Sequence, residues 1–81
     1  MKYVTFKKVT GRTYIVMFSE AMSHQEVCAR LSVGHYDTAV SAGFVRESAD
    51  GLYCMGESVS LKMKSREDED TNLLRASLAA S

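Results

Sequence analysis

Ser23-His24-Gln25-Glu26 restricts the fold more than any other stretch of this chain. A serine followed three residues later by glutamate is the signature of a capping box. In it the Ser23 hydroxyl accepts from the Glu26 amide, and the Glu26 carboxylate reaches back to the Ser23 amide. Met22 before the box and Val27 after it can close a hydrophobic staple across the same turn. Val27 and Leu31 then share a face one turn apart, so a helix is expected from Ser23 to about Ser32, with Gly34 as its left-handed cap.

The residues on either side of this helix follow a period of two. Lys2 to Val9 sets Val4 and Phe6 against Tyr3, Thr5 and Lys7, the pattern of a half-buried strand. Thr10-Gly11 interrupts it, and Arg12 to Phe18 reads as the second strand of a hairpin. Because Tyr14 to Phe18 is apolar on both faces, that second strand is expected inside the sheet with both sides covered. After a connection at 35–38, Ala39 to Glu47 is strand-like, with Val40, Ala42 and Phe44 on one face and Ser41 and Gly43 on the other. Ser48-Ala49-Asp50-Gly51 is a turn in which Asp-Gly is the favoured hairpin pair.

Leu52 to Lys64 poses a parity problem. Leu52 and Cys54 are even-numbered, whereas Val59, Leu61 and Met63 are odd, so one unbroken strand would expose one set. A β-bulge at Gly56-Glu57 would return all five to one face, and glycine supplies the positive φ that bulges often need. The alternative is regular alternation with Tyr53 and Met55 buried. Beyond it, Ser65 as N-cap and Asp68 three residues on begin a second helix, whose acidic start, Glu67 to Asp70, suits the positive end of the helix dipole. Leu73, Leu74 and Leu78 make its apolar stripe. The expected fold is therefore α+β in the order ββαββα, an antiparallel sheet with two helices on one face.

Composition bounds what such a fold can do. Eighty-one residues make one domain, and 46% hydrophobic residues are enough for it to fold. Ten basic and ten acidic residues cancel, which removes any global attraction to nucleic acid or to an anionic membrane. The longest apolar run, Tyr14 to Phe18, is far too short to span a bilayer, so no membrane is expected among its partners. Met1-Lys2 leads straight into alternation with no signal peptide in view, and two cysteines without one point to free thiols in a reducing, cytoplasmic setting.

No nucleophile is spaced beside a base and no carboxylate pair suggests acid–base work, so the chain is expected to bind rather than to catalyse, and without a cofactor. His24, Cys28, His35 and Cys54 could supply metal ligands, with His24 and Cys28 at the i, i+4 spacing. Paired-ligand knuckles are lacking, however, and both cysteines fall where small core residues belong, so no metal is expected; His24, at the first helical position, is read as solvated. Lys2, Lys7, Lys8 and Arg12 on the first hairpin would join Lys62, Lys64 and Arg66 in one basic patch if their strands are neighbours, giving a surface for a nucleotide or a nucleic acid. Lysines on edge strands also simply discourage sheet-to-sheet aggregation. The small residues about Ser41 and Gly56 would admit a partner or a tightly packed helix, and an edge strand pairing across a two-fold axis would give a homodimer.

Val40-Ser-Ala-Gly-Phe, Cys54-x-Gly-Glu-Ser-Val-Ser-Leu and Lys64-Ser-Arg-x-x-Glu-Asp ahead of Leu73-Leu74 resemble small accessory proteins encoded by phages and prophages, over most of the chain. The resemblance implies a setting, the stoichiometric inhibition of host machinery or defence, and no catalytic residue. Taken with the residues themselves, it makes the expected partner a host protein or a small signalling nucleotide, with a nucleic-acid-binding module as the alternative. Glu57, re-aimed by the bulge, is the leading contact residue, with Arg66, Ser41, Lys62 and Lys7 beside it.

Overall fold

The computed structural model describes residues 1–32 and 37–80. The expected Gly34 cap, and His35, lie outside them. The elements run β1 (Lys2–Lys7), β2 (Thr13–Phe18), α1 (His24–Ser32), β3 (Thr38–Ser48), β4 (Gly51–Met55), β5 (Glu57–Ser58), β6 (Met63–Lys64) and α2 (Glu67–Ala79). Four strands form an antiparallel sheet in the order β2-β1-β3-β4, and β5 and β6 form a separate small hairpin. The protein is thus α+β, as its alternation implied. No helix among the described residues is long and apolar enough to cross a membrane.

Turn chemistry follows the glycines. In the first hairpin the Gly11 amide donates to the Lys8 carbonyl at 2.9 Å, with Gly11 at φ 91°. In the β3–β4 hairpin Ser48 faces Gly51 across a two-residue connection, so Ala49-Asp50 rather than Asp50-Gly51 occupies the centre. The Ser48 hydroxyl ties this turn down, donating to the Gly51 carbonyl at 3.1 Å and accepting from the Asp50 amide at 3.3 Å.

The helices do not share a face. Val27 of α1 packs with Val4, Phe6, Phe18 and Ala42, while Leu74 of α2 packs with Tyr3, Val45 and Cys54. Tyr3 and Val4 are consecutive on one strand, so the two clusters lie on opposite sides of the sheet. The cause is that β1 is central and buried on both faces, with Tyr3 and Thr5 as inaccessible as Val4 and Phe6. The strand expected inside the sheet, β2, is its edge. Its two-faced apolarity is still used, because Tyr14 and Val16 lean on the α1 cluster and Ile15 and Met17 on the α2 cluster.

Parity breaks at Gly56, although not by a bulge. Gly56 takes φ 80°, β4 ends, and the chain leaves the sheet as the β5–β6 hairpin. Leu52 and Cys54 therefore stay on the α2 side, Leu61 and Met63 pack on the α1 cluster, and Val59 is 84% exposed at the turn. Two faces, rather than one re-registered face, reconcile the odd and even positions. A register shift does occur in β3, where Thr5 faces Ser41 and Phe6 faces Ala39, leaving Val40 as the extra residue. Gly43 allows β3 to meet the Met55 backbone, since a Cβ there would stand 2.4 Å from the Met55 carbonyl oxygen.

Candidate interaction surface

Most of the groups with chemical potential are turned inward. Asp70, one turn before Leu74 on the stripe that faces the sheet, is completely buried. Its carboxylate accepts from the Tyr3 hydroxyl at 2.6 Å, the Ser41 hydroxyl at 3.0 Å and the Arg66 amide at 3.0 Å. The Arg66 guanidinium at 3.3 Å and the Thr5 hydroxyl at 3.4 Å complete the set. Such a shell compensates the desolvation that an isolated carboxylate would suffer. Ser65, expected to cap α2, instead bonds the Tyr3 hydroxyl, and Arg66 becomes the N-cap residue without a side-chain cap. The Asp70 carboxylate on the Arg66 amide is the counterpart of a capping box's reach-back arm, made without the hydroxyl arm.

The neighbourhood shifts titration in one direction. Burial, then the hydrogen bond to Asp70, raises the Tyr3 hydroxyl well above the usual phenol range. Burial, followed by the Asp70 charge, pushes the Cys54 thiol up to about 11. On the other side of the sheet burial also raises Cys28. Both thiols are free, and their places in the two opposed clusters keep them apart.

His24 is buried rather than solvated. Its Nε2 lies 2.9 Å from the Gly43 carbonyl, and its ring meets Phe18 and Phe44 edge-on at 5.4 and 5.8 Å. The capping serine holds it there: the Ser23 hydroxyl accepts from the Glu26 amide at 3.0 Å, the first of the two expected arms. Among the described residues no cluster of three or more His, Cys, Asp or Glu side chains could hold a metal ion.

Two clefts among those facing solvent are a polar one of 460 Å³ between β4 and α2 and one of 320 Å³ between the start of α1 and the β5–β6 hairpin, the latter bounded by Lys2, His24, Phe44, Glu57, Val59 and Ser60. Phe44 is its half-buried aromatic wall, backed by Gly56, where an added Cβ would stand 3.2 Å from the ring. The Lys2 ammonium is held over the α1 entry by donating to the Met22 carbonyl at 3.0 Å. Glu57 and Val59 come from the hairpin, whose turn places Lys62 at φ 55°.

The five residues singled out in the sequence are not gathered into one place. Glu57 lines the cleft, and Lys62 is exposed at the turn of the same hairpin. Lys7 is exposed at the end of β1. Ser41 and Arg66 belong to the Asp70 network. The strands that were to unite the basic residues are not sheet neighbours, since β1 pairs with β2 and β3 while β6 pairs with β5. Asp70, read as part of a charged helix start, and His24, read as solvated, are both buried, although each carried a signal: both sit one turn ahead of a core residue on the buried stripe of their helix. Compared with protein-family models, curated proteins and solved structures, the chain matches none.

Proposed function

We propose that this protein is a non-catalytic binding protein, acting as a homodimer, that seats a segment of a partner protein in the cleft beside the β5–β6 hairpin. The cleft itself carries the reading: an aromatic wall, an exposed valine and two opposite charges in its lining, Lys2 at the α1 entry and Glu57 on the hairpin. Apolar contact ringed by mixed charge suits a polypeptide, whereas a polyanion would meet Glu57. The inward commitment of Asp70 and His24, and a Cys54 thiol held protonated at neutral pH, support binding over chemistry. The resemblance to phage accessory proteins makes a host protein in the host cytoplasm the target, held in a stoichiometric complex.

The test is retention of a host protein by the immobilised chain, compared with Val59→Asp and Glu57→Lys variants of unchanged thermal stability. Loss of at least ten-fold in affinity, about 1.4 kcal/mol, is expected for Val59→Asp. Equal retention by wild type and both variants overturns the cleft reading. Co-eluting nucleotide would replace it with sequestration of a small ligand, and binding that collapses with added salt would replace it with nucleic-acid recognition through Lys7, Lys8 and Arg12.

A further inference from the structure

The two edges of the sheet are finished differently. The Val45 amide donates to the Met1 carbonyl at 2.7 Å, and the Lys8 amide donates to the Arg12 carbonyl at 2.8 Å. In an antiparallel ladder a residue directs both backbone groups to the same neighbour, and consecutive residues alternate. Met1 and Tyr3 thus bond toward β3, and Val4, Phe6 and Lys8 toward β2. Tyr14, Val16 and Phe18 then bond inward, and Thr13, Ile15 and Met17 direct their N–H and C=O groups away from the sheet.

The same alternation carried through Val45 puts Leu52 and Cys54 on the outer rim of β4. There α2 closes the edge: Thr71 Oγ1 accepts from the Cys54 amide at 2.9 Å, and Arg75 Nε donates to the Leu52 carbonyl at 2.9 Å. No described residue covers β2 in this way. Nor does Thr-Tyr-Ile-Val-Met-Phe contain a charge or a proline, the usual means of blunting an exposed edge.

We propose that β2 is the dimer interface, a second copy of β2 adding antiparallel across a two-fold axis through Val16. This deepens the homodimer reading above by naming its surface and register. Bonds form only where outward residues meet outward residues, which leaves Ile15 and Val16 as the well-overlapped centres. Centring on Val16 sets Ile15 opposite Met17 and Tyr14 opposite Phe18, and on both sides of the axis it brings exposed Arg12 toward exposed Glu20, which lies two residues past the end of β2 and already meets Arg46 at 3.3 Å and the N-terminal ammonium at 3.6 Å. Centring on Ile15 sets Arg12 against Phe18 and Glu20 against Thr10, and forfeits that charge complementarity. Beside the edge, Val16, Phe18, Met22, Val27 and the Arg30 stem line a 180 Å³ groove on the α1 face. The second copy's Tyr14 and Val16 would cover it.

Sedimentation at micromolar concentration is expected to return about twice the chain mass of 9.0 kDa. Val16 facing its own copy is a non-hydrogen-bonded pair, with Cα atoms about 4.5 Å apart and therefore within disulfide reach. Val16→Cys should cross-link under mild oxidation where wild type, with Cys28 and Cys54 alone, does not. Arg12→Glu should weaken the dimer at least ten-fold, whereas Arg12→Lys, which keeps the charge, should leave it intact. A monomeric wild type overturns both dimer and register. A dimer whose Val16→Cys form does not cross-link and whose Arg12→Glu form is unaffected overturns the β2 interface alone. Val59→Asp should leave the mass unchanged, which separates this test from that of the cleft.

Discussion

Asp70 shows how one residue can organise a small core. A buried carboxylate is tolerated only when its lone pairs are filled, and here three hydroxyls, a backbone amide and a guanidinium fill them. Removing the carboxylate strands the buried Thr5 and Ser41 hydroxyls, while Tyr3 keeps Ser65 and the Arg66 guanidinium keeps Glu69. Asp70→Ala is accordingly expected to lower the unfolding free energy by ~2–5 kcal/mol in chemical denaturation, because the buried Thr5 and Ser41 hydroxyls lose their acceptor at ~1–3 kcal/mol each. Tyr3→Phe, which deletes one charge-assisted bond, should cost ~1.5–3 kcal/mol. The thiol beside this network has a pH consequence of definite sign. Cys54 keeps its proton in the fold up to about 11, against 9.0 when free, so above pH 9 the unfolded chain holds fewer protons than the native one. Stability therefore falls as pH rises from about 9 to 11. Tyr14, raised to about 12 from 10.0 chiefly by its bond to Asp37, extends the loss upward. Unfolding midpoints measured from pH 8 upward should decline, and Cys54→Ala should make the early part of the decline shallower, leaving the share of the raised Cys28 thiol.

Helices and strands were legible here to the extent that their signals are local. The Ser23 cap is a contact between residues close in sequence, and the alternation of β1 and β3 needs no knowledge of neighbours. Ser23→Ala is expected to cost about 1 kcal/mol by denaturant titration, with the loss confined to α1 in hydrogen exchange. Which face a helix covers depends on partners remote in sequence, and there the reading failed. Tyr3 and Thr5 look solvent-facing until Asp70, more than sixty residues away, arrives to satisfy their hydroxyls. The same remoteness explains Ser65, whose hydroxyl is diverted from the helix start to Tyr3. Gly56 was recognised as a break but not as an exit, because bulge and exit place the same demand on φ. Gly43 makes a sharper test of the close β3–Met55 approach: with 2.4 Å available to a Cβ, Gly43→Ala should destabilise by ~1–3 kcal/mol and disturb the His24 ring, observable as a shift of its proton resonances.

For the molecule as a whole, the arrangement is a four-stranded sheet with one helix against each face and a hairpin closing the α1 side. The cleft was not legible: Glu57 was singled out through a bulge that the structure replaces with a chain exit at Gly56, and Phe44 and His24 join it through packing that no local pattern encodes. The closed edge has a further consequence, best put in terms of valence. A protein with one free strand edge is monovalent toward its own kind, so pairing consumes its reactive end and growth terminates at a finite assembly. A protein with two is bivalent, and bivalent units propagate into chains of indefinite length. By holding Cys54 and Leu52, Thr71 and Arg75 take the β4 edge of the four-stranded sheet out of that count, which on the proposed β2 interface leaves one among the described residues. Replacing both, as Thr71→Val with Arg75→Ala, is expected to raise light scattering progressively with concentration where the native chain plateaus. Two side chains on the outer flank of α2 would then separate a finite assembly from a filament.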